Sequence, residues 1–261
     1  MSVLITPGGA TDEVGWTIPY FGAFTDISVA AWGHLTQLPS TRTIISKIAI
    51  QQQASGGFVS AFIFQITTAN FLFFRPATGA ATNDVTGVTA VTASTPQHYG
   101  ASFSDVNNRS RVYLNGVQDA VNTTATLAMS DPGAGVPVSV GHRIPFNAEV
   151  FDGRMSEVAV WTIELEADDF AMLAAGVPPI HVRPDALAFT LQLLNNVDPQ
   201  PDLSINQRDG TRVIQGTGAM ATDDHPSQVG WAMGDTAYMI REAARSLVRG
   251  ERRPRRALLV R

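Results

Sequence analysis

The sequence predicts an all-β chain folded as a two-sheet antiparallel sandwich, and three observations carry that reading. Alternating apolar and polar stretches recur at intervals of about ten residues, separated by Gly, Asn, Asp or Pro. Asn115-Gly116 joins the alternating runs 111–114 and 117–121, and an Asn-Gly pair in that setting specifies a type I′ hairpin, whose central residues both need positive φ. With 44 % hydrophobic and 16 % charged residues, the 261-residue chain can bury one large core without staples. It has no cysteine, which excludes a disulfide framework and any thiolate metal site.

Taken in order, residues 1–16 are rich in Gly with one Pro and read as an N-terminal arm or lead-in strand. The first firm strand is 27–35, followed by a strand at 43–49 and a polar loop at 51–57. Residues 58–67 and 70–75 form a hairpin, 86–92 is β-branched and alternating, and 97–103 precedes a polar turn at 104–110. After the Asn-Gly hairpin come strands at 138–142 and 151–161. A short helix at 166–175 is stopped by Gly176 and Pro178-Pro179. A strand at 186–194, a turn at Asp209-Gly210 and a brief strand at 212–214 complete a sandwich assigned to 17–230.

The middle of this order resembles a known family. Residues 113–116 end a strand in Asn-Gly, Val140-Gly141 lies in a Gly-containing strand, and Phe151, Gly153, Met155, Glu157 and Val158 keep a Phe-x-Gly-x-Met-x-Glu-Val phrase. A helix opening with acidic residues follows. This is similar to the second half of a laminin G-like, or concanavalin A-like, jelly roll, and the resemblance runs from about residue 17 to residue 226. It implies a jelly-roll topology in which 186–194 returns to pair beside the first strand. The fold hosts lectins, hydrolases, adhesion modules and the structural proteins of tailed-phage virions, so it names no ligand.

Residues 231–261 depart from the fold. Over 235–249, Ala237, Ile240, Ala244, Leu247 and Val248 form one apolar stripe at helical spacing, with Arg241, Glu242 and Arg245 largely off it. Arg252, Arg253, Pro254, Arg255 and Arg256 break that helix, and 257–260 is apolar. Residues 241–261 hold eight Arg against two Glu, a local +6 on a chain of net −5, which leaves −11 on the rest. An acidic body with a basic tail reaches for an acidic partner or another copy of itself. Trp231, Tyr238, Ile240, Arg241, Arg245, Leu247, Arg249, Arg252, Arg253, Arg255 and Arg256 are therefore the candidate partner-binding residues of a C-terminal assembly arm. A solvated tail is the plain alternative. Nucleic acid is not expected, because one basic cluster on an acidic body lacks interleaved aromatics.

The chemistry-bearing residues give little to an enzyme. Glu164, Glu166 and Asp168 alternate, and concanavalin A-like glucanases use a strand of spaced acids, but here the last acid falls where a helix begins and suits its first turn. No catalytic residue is assigned. Relatives hold calcium at the rim of the sandwich, and Asp84, Asp105, Asp131 and Asp152 are the loop carboxylates that could converge on it. Each also suits a turn that bonds its own backbone. Calcium apart, no cofactor is expected. The five histidines have no metal-ligand spacing, and no Gly-x-Ser-x-Gly elbow, P-loop or dinucleotide fingerprint is present. Trp16, Tyr20, Trp32, Tyr99 and Trp161 form either a sugar-stacking platform or core, and the alternation of their strands is read as pointing Trp32 and Trp161 inward. No apolar run approaches the roughly 18 residues of a membrane span, so no membrane insertion is expected. The first residues lack the basic and apolar regions of a signal peptide.

These readings lead to a non-enzymatic bacteriophage virion structural protein, a capsid decoration or tail-fibre component made in the host cytoplasm. It displays a lectin-like jelly roll, with capsid or tail proteins and copies of itself as partners and host-surface glycan as an accessory ligand. The alternative is a stand-alone carbohydrate-binding module.

Overall fold

The computed structural model describes residues 2–7, 13–19, 24–38, 41–49, 59–78, 81–82, 84–123, 136–143, 149–193, 197–215 and 217–223. In chain order the strands are β1 (Ser2–Thr6), β2 (Glu13–Ile18), β3 (Asp26–Leu35), β4 (Arg42–Ala49), β5 (Val59–Ile66), β6 (Phe71–Thr78), β7 (Ala81–Thr82), β8 (Val85–Ala90), β9 (Gln97–Ser104), β10 (Arg109–Leu114), β11 (Val117–Asn122), β12 (Val138–Val140) and β13 (Gly153–Trp161). The helix α1 (Ala167–Ala174) and two 3-10 turns (Pro179–His181 and Pro184–Ala186) follow, then β14 (Leu187–Leu191), β15 (Thr211–Gln215) and β16 (Ala219–Asp223).

The strands form two eight-stranded sheets. Sheet I runs β11-β10-β9-β3-β13-β1-β16, with β14 also on β13; sheet II runs β15-β2-β12-β4-β5-β6-β7, with β8 also on β6. Every pairing is antiparallel. One apolar cluster takes Ile27, Val29, Ala31 and Leu35 from β3, Trp16 from β2, Phe62 and Phe64 from β5 and Phe103 from β9, so it lies between the sheets. This is the all-β sandwich that the sequence predicts.

The N-terminal stretch decides between the two sequence readings. Residues 1–16 were read as an arm or a lead-in strand, and it is as a strand that β1 sits inside sheet I, with Val3 opposite Met155 of β13 and Thr222 of β16. Val3 and Ile5 are fully buried, and β2 brings Val14 and Trp16 into the same core. Alternating Val3 and Ile5 have a core face to fill, and their strand partners lie at the far end of the chain. The arm assigned to 231–261 lies outside the described residues.

Local chemistry accounts for the turns that set the site. Asn115 and Gly116 take φ of 52° and 79° between β10 and β11, the left-handed values of a type I′ turn. The first turn of α1 is tied by the Glu166 N–H donating to Asp169 Oδ2 at 3.1 Å, and the helix ends at Gly176 with φ 89°. The Val177 N–H then donates to the Met172 carbonyl at 3.0 Å, closing the helix as Pro178 and Pro179 turn the chain away.

Candidate functional site

Because Ile27, Val29, Ala31 and Leu35 enter the main core, strand alternation turns Ser28, Ala30, Trp32 and His34 to the outer face of sheet I. Register builds rows across that face. Ala30 lies opposite Gly100 and Ala159, Trp32 opposite His98 and Ser156, and His34 opposite Arg154.

One end of the face is closed. Ala30, Tyr113, Ala159 and Trp161 form a second apolar cluster with Leu165, Phe170, Leu173, Val182 and Leu187. Phe170 of α1 stacks on Tyr113 with ring centroids 4.0 Å apart, and Gly100 makes this possible, since a Cβ there would lie 2.5 Å from the Phe170 ring. The Trp161 indole donates to the Val182 carbonyl at 2.7 Å. Ser28 Oγ donates to the Ile163 carbonyl at 2.9 Å and accepts the Leu165 N–H at 2.7 Å, fixing the loop before α1.

A charged clamp borders this end. Glu164 accepts from Arg109 Nε at 2.6 Å and Asn107 Nδ2 at 2.8 Å, and also from Arg111. Glu166 accepts from Arg109 and Arg111 at 2.8 and 2.9 Å. Burial pushes the Glu164 pKa upward, but the hydrogen bonds from Arg109, Arg111 and Asn107 outweigh it and hold the carboxyl below the ordinary range. Burial likewise opposes the Arg111 charge, and the bonds to Glu166 and Glu164 more than restore it.

At the other end, neither apolar cluster of the described residues covers the face. Trp32 is half-buried and belongs to neither apolar cluster. Its ring meets His98 edge-on, with centroids 5.4 Å apart. His98 is held from behind by Asn115, whose Oδ1 accepts its N–H at 2.9 Å while the Asn115 N–H donates to its carbonyl at 2.8 Å. Burial lowers the His98 pKa to about 3, so the ring is neutral. Beside Trp32, the half-buried Arg154 donates to His34 Nδ1 at 3.0 Å. An arginine only donates, so that nitrogen accepts, and a neutral His34 carries its proton on Nε2.

Trp16, Tyr99 and Trp161 are fully buried, and Tyr20 lies outside the described residues. Trp32 corrects the reading that pointed it inward: it falls out of phase with Ile27 and Val29, which puts it on the outer face, and Trp161 shares that face but is roofed by the second cluster. Of the four calcium candidates, three lie among the described residues. Asp84 pairs with Arg75 at 2.6 Å, and Asp152 accepts from Gln37 at 2.8 Å and Arg42 at 3.4 Å. Asp105 sits in the β9–β10 turn, and Asp131 lies outside the described residues. Among the described residues no three His, Asp or Glu groups gather around a metal position. The residues Trp231, Tyr238, Ile240, Arg241, Arg245, Leu247, Arg249, Arg252, Arg253, Arg255 and Arg256 are likewise outside them.

Sequence reasoning missed His34, His98 and Arg154, which no motif marks; the parity of β3 was the available signal for the first. It also missed the burial of Glu157. This residue has φ 49° in the bulge between Ser156 and Ala159, where the edge of β13 passes from β1 to β14. Its carboxyl has no hydrogen-bond or ion-pair partner among the described residues, and burial raises its pKa to about 7.

A family model described as the concanavalin A-like lectin/glucanases superfamily, of laminin G type, matches residues 8–171. No curated protein matches the chain in sequence. Among solved structures, a Bacteroides ovatus protein provisionally assigned as carbohydrate binding is similar at TM-score 0.58 and 18 % identity, over 84 % of this chain and 62 % of its own. The heptameric SAP-like pentraxin of Limulus polyphemus gives TM-score 0.55 and 16 % identity, over 87 % and 96 %. The CBM40 of the Ruminococcus gnavus IT-sialidase, solved with α2,3 sialyllactose, gives 0.51 and 14 %, over 64 % and 99 %. This chain thus spans less than two thirds of the first of these, and at such identities the likeness is one of fold.

Proposed function

Since the chain belongs to the concanavalin A-like lectin/glucanase superfamily, we propose that it takes the lectin side of that division and is a non-enzymatic carbohydrate-binding module. The observation that carries the choice is the state of the acids. A glycosidase needs two carboxyls flanking the scissile bond, one of them held protonated. Glu164 is instead kept ionised by Arg109, Arg111 and Asn107, and Glu166 is engaged by the same two arginines. Glu157 has a pKa raised by burial, but among the described residues no second carboxylate acts on it. Binding is what these groups leave open.

Two fold neighbours, a protein provisionally assigned as carbohydrate binding and a sialidase CBM40, support this reading. They favour an isolated glycan binder over the virion component suggested by the basic tail. A glycan array with the full chain, run beside a reducing-sugar assay on every bound glycan, tests it. Retention of a glycan class without release of sugar is the expected result. Hydrolysis of a bound glycan, or an array with no retained glycan, overturns the proposal.

A further inference from the structure

We propose that the outer face of sheet II, where β6 runs between β5 and β8, is a docking platform for an uncharged sugar, with Phe71 and Phe73 meeting its apolar face and the Arg75–Asp84 pair meeting its hydroxyls. The inference rests on the glycan-binding reading above and adds a location and a ligand class. Strand alternation sets the face. Leu72 and Phe74 of β6 and Phe64 and Ile66 of β5 enter the main core, so Phe71, Phe73 and Arg75 turn the other way, as does Gln65, which lies opposite Phe73. On the far side of Phe73 lies Thr86 of β8, which is exposed. Both rings are half-buried, and they belong to neither apolar cluster of the described residues. Aromatic rings bordered by polar groups suit one face of a pyranose.

The ligand class follows from the charges beside the rings. The Arg75 guanidinium lies over the Phe73 ring, 5.1 Å from its centroid, and donates to Asp84 through Nε at 2.9 Å and Nη2 at 2.6 Å. The hydrogen bond to Asp84 raises the arginine pKa further, so Arg75 keeps its charge. Each side chain of the pair fixes the other, yet both stay reachable, at 37 % and 28 % exposed. Their charges cancel. The pair still presents hydrogen-bonding groups of both kinds: Nη1 of Arg75 lies outside these bonds and only donates, while the Asp84 carboxylate only accepts. A sugar hydroxyl both gives and takes a hydrogen bond, so neighbouring hydroxyls match such a pair. An acidic sugar finds no surplus positive charge here and meets the Asp84 carboxylate at close range.

An array of neutral oligosaccharides beside sialylated and uronate-bearing ones tests this, run with the full chain, Phe73→Ala and Asp84→Asn. Titration calorimetry then measures the best-retained neutral and acidic glycans. Circular dichroism establishes that each variant is folded, and Asp84→Asn carries the test if Phe73→Ala is not. The expected result is binding of a neutral glycan, with acidic ones at least tenfold weaker and each substitution costing tenfold or more in affinity for the neutral ligand. In Asp84→Asn the preference for neutral glycans should also narrow, because Arg75 then stands unbalanced. Acidic glycans bound as tightly as neutral ones by the native chain, or a preference unchanged by Asp84→Asn, overturns the ligand class. Neutral-glycan binding that survives both substitutions overturns the location and leaves the glycan-binding reading standing. If no glycan binds the native chain, both fall together.

Discussion

The two ends of the outer face of sheet I are built on the same central strands and meet opposite fates. At the end formed by Ser28 and Ala30, the chain supplies its own cover: Phe170 fills the space above Gly100, Ser28 binds the loop that carries α1, and the clamp of Arg109, Arg111, Glu164 and Glu166 borders it. At the end formed by Trp32 and His34, no described helix or turn joins the cluster, and an aromatic ring and a guanidinium stay partly exposed. Stability is concentrated where the cover is matched group by group, and at the other end the half-buried Trp32 ring lies outside both apolar clusters.

Breaking the closed end should be the most damaging change. Phe170→Ala removes a fully buried ring from its stack on Tyr113 and leaves a cavity, for an expected loss of about 3–5 kcal/mol in urea unfolding. A loss near 1 kcal/mol would mean that Phe170 does not anchor α1 on this face. Glu164→Gln comes next. It withdraws the ionised acceptor shared by Arg109 and Arg111, with Arg111 and Glu164 each only 6 % exposed, and should cost about 3 kcal/mol. Because the two residues act as one unit, Glu164→Gln combined with Arg111→Gln should cost clearly less than the sum of the single losses.

What the sequence made legible divides along the same line. Strands that stood alone with turn signals, the Asn115-Gly116 hairpin and the acidic start of α1 could be read because local chemistry dictates them. The strand β1 was hidden, since Val3 and Ile5 gain their meaning from β13 and β16, far along the chain. Alternation also misleads where a sheet is covered on both sides. Every residue of β9 is buried, so burial there shows no period of two. Trp32 was misread for a simpler reason: the alternation of its strand was set in the wrong phase, since it shares parity with Ser28 and Ala30 and not with Ile27 and Val29. Nothing in the sequence places Arg154 against His34, because that contact depends on the register of β13 on β3.

Buried titrating groups sharpen the comparison through pH. Burial lowers the His98 pKa to about 3 and that of His142 to about 4, from 6.5. Their stabilising contribution is therefore complete above pH 6.5 and is lost as pH falls toward these folded values. Glu157 has the opposite sign. Raised from 4.5 to about 7, it contributes stability that is full below pH 4.5 and lost as pH rises through 7. Thermal melts across this range should show Glu157→Gln gaining on the native chain by about 2–3 kcal/mol at pH 8 and losing the advantage below pH 4.5. An advantage independent of pH would place its origin in the bulge backbone and not in the buried charge.

The smallest expected effect on stability belongs to Trp32→Ala. The ring is half-buried, lies outside both apolar clusters and meets His98 only edge-on, so its removal should cost about 1 kcal/mol in urea unfolding. A loss comparable to that of Phe170→Ala would make Trp32 a core residue after all and would erase the distinction between the two ends. A small loss leaves the half-exposed ring without a structural reason, since an exposed indole gains little for the fold and could be replaced by any strand-forming residue.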